Sequence, residues 1–153
     1  MNKQEVTSNL RSLSVIHAAL CMGVIIFLSV IYFGLKPEKL EPTNTIFLIL
    51  GGMLVLTGIS ASLIFYRSLL SKLNEADSIG AKFTTYRSAS IIRYALLEGP
   101  TLVNSVFFLL TGNPIHLYIA LAGVAILFLS RPTLQQFVND ARLTGDERRS
   151  LGL

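Results

Sequence analysis

One carboxylate, Glu98, stands inside an apolar run, residues 94–111, that is otherwise interrupted only by small polar groups. The run is long enough for a membrane-spanning helix and puts Glu98 several residues inside it. An ionisable group is costly there and marks either ion handling or a specific polar contact. Arg93 precedes it by five residues, about 140° around an ideal helix, and is poorly placed to pair with it. Arg87, eleven residues back, shares its face but lies far nearer the polar end of the segment. Glu98 must therefore meet a donor on another helix, be protonated, or bind a cation. By depth, Ser60 and Ser62 in the preceding apolar run lie near its level, as does Cys21. Gly99 and Pro100 follow directly, and Pro100 has no N–H for the carbonyl of Leu96, so a kink is expected there.

Little else in the chain could do chemistry. His17 lies about one turn into the first apolar run and reads as a hydrogen-bonded side chain near an interface, with a proton-relay role as the sharper alternative. His116 and Tyr118 read as residues of the opposite interface, so the two histidines do not form one site. The single cysteine, Cys21, can make no intramolecular disulfide and fits no metal-ligand spacing. There is no glycine-rich phosphate loop, no metal spacing and no nucleophile–base pair. The expectation is a non-enzyme without cofactor or metal.

The elements that must position Glu98 follow from composition. The 153 residues are 52% hydrophobic and 14% charged, against about 25% charged in a typical soluble domain. The expected fold is all-α: one four-helix membrane domain with short external loops and a cytoplasmic helical hairpin extension. Its spans are expected near 13–35, 46–66, 91–111 and 115–130, with residues 132–153 as a cytoplasmic tail. The first is read as an uncleaved signal anchor. A stiff external loop is expected over 36–45, with Pro37 and Pro42. Leu69, Leu70, Leu73 and Ala76 extend helical spacing beyond the second span, with Gly80 as the turn. Gly112-Asn113-Pro114 is a tight turn. Leu134, Phe137, Val138 and Ala141 form one face of a short amphipathic helix capped by Thr133 with Gln136, and 144–153 is expected to be mobile. Of the thirteen basic residues, all but Lys36 and Lys39 fall on one side of this topology, which puts both termini in the cytoplasm of a bacterial-type inner membrane. The cations follow membrane edges and are not interleaved with aromatics, so nucleic acid is not the expected partner. Gly51, Gly58 and Ser62 make a small-residue stripe on the second span, and Ala19 and Gly23 a pair on the first; both predict helix packing.

Arg87, Ala89, Ile91, Ile92, Ala95, Leu96, Glu98 and Gly99 stand in the pattern Arg-x-Ala-x-Ile-Ile-x-x-Ala-Leu-x-Glu-Gly. This resembles the carboxylate helix of the rotor-ring proteolipid subunits of rotary ATP synthases and ATPases. The likeness extends to helix–loop–helix order over residues 46–111, with two further spans flanking it. The resemblance implies that Glu98 binds H⁺ or Na⁺ and that Ser60 and Ser62 contribute oxygens. Two functions follow for comparison: a structural or accessory membrane protein acting by helix packing with itself or a partner, and an ion-binding or translocating protein that uses Glu98.

Overall fold

The computed structural model describes residues 1–35, 37 and 45–152. The described residues are helical, with turns and no strand. Helix α1 spans Lys3–Ser29 and continues as a π-helical segment, Val30–Leu35. Then come α2 (Thr45–Leu70), α3 (Ile79–Thr111), α4 (Pro114–Leu129), α5 (Leu134–Asp140) and α6 (Gly145–Ser150). Apart from residues 37 and 45, the loop expected over 36–45 lies outside the described residues.

Three helical segments, Lys3–Leu35, Thr45–Leu70 and Ile79–Thr111, are long and apolar enough to cross a membrane. The fourth expected span matches α4 in position, but its 16 residues make only about 24 Å of helix. That is short of a hydrocarbon layer of about 30 Å. It qualifies only jointly with α5, and the two are bent 80° to each other. The number of such segments is therefore three, or four if the bent pair is one span.

Helix α3 is the hub. It packs along α2 and α4 and, less extensively, α1, while α1 and α2 scarcely touch. The seam that α1 gives to this arrangement is Val6, Leu10, Leu13, His17, Cys21, Val24 and Leu28, spaced three or four apart and all buried. The seam overturns the Ala19–Gly23 packing face within the chain. Both are exposed, and a Cβ on Gly23 would meet nothing within 4 Å. The second-span stripe does pack. Gly51, Gly58 and Ser62 are all buried.

The ends of the helices follow local chemistry. Asn2 and Glu5 form a capping box that starts α1 ten residues before its apolar run. Gly112 closes α3 at φ 61°, a left-handed conformation that glycine adopts without steric cost. Asn113 then caps α4, with Pro114 in its first turn. The α2–α3 turn is not at Gly80. α2 ends at Leu70, and Ser78 caps α3 by accepting from the Ala81 N–H at 3.3 Å, leaving Gly80 inside the first helical turn.

The C-terminal residues fold onto the polar end of the bundle. The face of α5 expected to be amphipathic is buried at Phe137 and Val138, and Ala141 just beyond it is buried too. The Phe137 ring lies against Phe83 and Tyr86 of α3, with centroids 5.2 and 5.3 Å away. Residues 145–150 form helix α6 in the stretch expected to be a mobile tail. Thr144 and Glu147 form a reciprocal capping box, and Leu143 and Leu151 are buried around it.

Candidate functional site

Helix α3 holds Glu98 on the side turned away from α2. Pro100, two residues and about 200° later, is the residue that meets α2. Glu98 instead lies one turn beyond Tyr94, which meets His17 of α1. The contact is a short ladder between two helices. His17 stacks edge-on to Tyr94, with ring centroids 4.8 Å apart, and Cys21 follows His17 by one turn as Glu98 follows Tyr94. His17 Nε2 lies 2.8 Å from the Leu127 carbonyl of α4 and donates to it, so this ring ties three helices together. Among the described residues Glu98 has neither a hydrogen bond nor an ion pair. It is half-buried, and Ala95, Val106 and Leu110 on the neighbouring strip of α3 are exposed. Gly99, on the same strip, meets nothing within 4 Å of a Cβ position.

The two candidate oxygen donors are not brought to this carboxylate. Ser60 is exposed on the outer side of α2. Ser62 is buried, but its hydroxyl donates to the Ile59 carbonyl of its own helix at 2.7 Å. Neither arginine reaches Glu98. Arg93 lies over the Tyr66 ring at 5.1 Å, and Arg87 is exposed.

The opposite face of α3 is where close packing is spent. A Cβ at Gly58 would sit 2.5 Å from Pro100 Cγ and 2.8 Å from the Leu96 carbonyl oxygen. The bare Gly58 backbone therefore covers the carbonyl that Pro100 leaves without its amide donor, and α3 passes the proline as one helix. Thr101 meets Gly123 of α4 in the same manner, leaving no room for a Cβ there, while its hydroxyl donates to the Leu97 carbonyl at 2.8 Å. One turn on, Asn104 is fully buried. Its amide donates to the Gly51 carbonyl at 3.3 Å and the Pro100 carbonyl at 2.9 Å, and its oxygen lies 3.0 Å from His116 Nδ1. Since Oδ1 only accepts, His116 donates from Nδ1; its buried Nε2 has no partner. His116 is thus turned into the bundle, whereas Tyr118 is 65% exposed.

Two further polar contacts lie at the end that carries α5 and α6. Lys82 is only 1% exposed and binds both carboxylate oxygens of Glu147, at 2.8 and 3.0 Å. Burial pushes the Glu147 carboxyl up. The Lys82 hydrogen bond and charge, with the Thr144 N–H and hydroxyl, outweigh it and hold the group below the usual carboxylate range. Tyr66 of α2 donates to Asp140 of α5. Sequence reasoning missed both pairs, and also Asn104–His116. A capping box at Thr144-x-x-Glu147 and a lone amide inside an apolar run were the available signals. Comparisons of the chain with family models, curated proteins and solved structures find no match.

Proposed function

We propose that this is a non-catalytic accessory protein of a bacterial-type cytoplasmic membrane. In this reading four helices cross the bilayer, both termini are cytoplasmic, and the protein acts by receiving a further transmembrane helix, from a partner or a second copy. The observation that carries it is Glu98, a half-buried carboxylate with no donor among the described residues, beside an outward strip of α3 bearing Ala95 and Gly99. Small residues let a second backbone approach closely. A hydrogen-bond donor on that helix removes the cost of a lone carboxylate in hydrocarbon. The gap between α1 and α2 over α3 supplies the room. The basic residues at the α5–α6 end and at both termini support the orientation. On this topology α5 turns away from α4 at the cytoplasmic edge.

Single cysteines introduced for Ala95 and Gly99, in a chain with Cys21→Ser, test the reading by cross-linking in native membranes. Adducts that Ala95→Leu or Glu98→Ala abolishes are expected. Adducts of equal yield in those variants would refute it.

The second reading is H⁺ or Na⁺ binding and translocation by Glu98. Its favourable observation is the same unpartnered carboxylate, free to exchange a proton; the separation of Ser60 and Ser62 from it favours H⁺. Reactivity of Glu98 toward a hydrophobic carbodiimide, with and without Na⁺ and across pH, distinguishes the two. Equal ion flux into vesicles from the unaltered protein and Glu98→Gln would remove this reading.

A further inference from the structure

At the polar end, α2, α3 and the α5 segment enclose an open cleft of about 560 Å³. Three guanidinium groups line it: Arg67 from α2, Arg93 from α3 and Arg142 after α5. None of the three is ion-paired among the described residues. The cleft's one carboxylate, Asp140, is engaged by the Tyr66 hydroxyl. The Arg93 Nε is buried without a partner, and its guanidinium is fixed over the Tyr66 ring. Gln136 and Asn139 add amide donors. Cations gathered around one cleft repel each other, and arginine's planar fork matches phosphate oxygens in a bidentate manner. The α2 wall grades from polar to apolar. Leu63, Tyr66, Arg67 and Leu70 form one stripe down α2, so the cleft passes from cations to the exposed Leu63.

We infer that this cleft binds a phosphate ester, with its phosphate on Arg67, Arg93 and Arg142 and its apolar portion along Leu63 of α2. An anionic phospholipid presents that combination. On the proposed topology the cleft opens at the cytoplasmic edge of the membrane, where such headgroups lie and basic pockets between helices take them. The inference rests on the membrane reading but not on the role of Glu98.

The test is native mass spectrometry and equilibrium binding of the full chain in neutral detergent, with phosphatidylglycerol, phosphatidylcholine and inorganic phosphate as probes. Phosphatidylglycerol should bind at least tenfold more tightly than phosphatidylcholine. Arg67→Gln with Arg142→Gln should weaken it at least tenfold, as expected for two lost contacts of this kind. Arg11→Gln with Arg131→Gln removes the same charge outside the cleft and should change it less than twofold. Asn139→Asp is a second variant, at an exposed position, should the arginine pair fail to fold. It places an anion in the cleft and should also weaken binding. Equal losses in the cleft and control variants, or no preference over phosphatidylcholine, would overturn the inference. Displacement of the lipid by millimolar inorganic phosphate would confirm a phosphate site and assign it to the free ion instead.

Discussion

Asn104 and Glu98 stand six residues apart on one helix and are treated in opposite ways. Asn104 faces α2 and α4, where Gly51 lets the backbone close in, and its amide is fully hydrogen-bonded. Glu98 faces the thin α1 contact and an uncovered strip, and no group among the described residues answers it. The difference teaches that a polar residue in an apolar helix cannot be read by depth alone. Its azimuth decides whether it holds the fold together or is left for something else.

The sharpest way to break the comparison is to fill the glycine notches. Gly58→Leu must push Pro100 and the Leu96 carbonyl aside, so it should destabilise by about 3 kcal/mol or prevent folding. Leu56→Ala, at a 68% exposed position, should move the melting temperature in detergent little. Similar melting temperatures for the two would mean that α2 does not sit on α3 as described.

The polar end gives the next effect. Glu147→Gln leaves the buried Lys82 ammonium without its anion and should cost roughly 3 kcal/mol. Because Glu147 is held below its ordinary carboxyl range, its contribution is complete above the unfolded value, near 4.5. It is lost as pH falls through the lower folded value. Melting followed from neutral to acidic pH should therefore drop in the unaltered protein and drop less in Glu147→Gln.

A smaller loss, about 2 kcal/mol, is expected for Asn104→Ala, which strands the Gly51 carbonyl and the His116 Nδ1–H. Thermal melts of Asn104→Ala, His116→Ala and the double variant should be non-additive, since the two residues share one hydrogen bond. The smallest effect belongs to Glu98→Gln. It removes a carboxyl that nothing among the described residues pairs, so isolated protein should melt within about 0.5 kcal/mol of the unaltered one. A large destabilisation would show that Glu98 has a partner inside the fold, and the contrast with Asn104 would fail.

Much of the architecture was legible in the residues. Long uncharged blocks require helices, since only helices satisfy a lone apolar segment's backbone internally. Gly112-Asn113-Pro114 closes one helix and opens the next through purely local preferences, and Gly51, Gly58 and Ser62 fall on a stripe that depends only on the helical period. The sequence by itself thus determined the helices, the α3–α4 turn and the presence of an acid in an apolar run. Tertiary structure alone decided which small residues touch anything, because Ala19–Gly23 and Gly51–Gly58, four and seven residues apart, each share a helical face and only the second has a helix against it. It also decided that Ser60 and Ser62 lie away from Glu98, and that the 144–150 segment folds, since Lys82 and Glu147 meet across 65 residues. Periodicity fixes a residue's position around its own helix. Which neighbour stands opposite depends on how the helices are arranged around α3, and no local rule carries that.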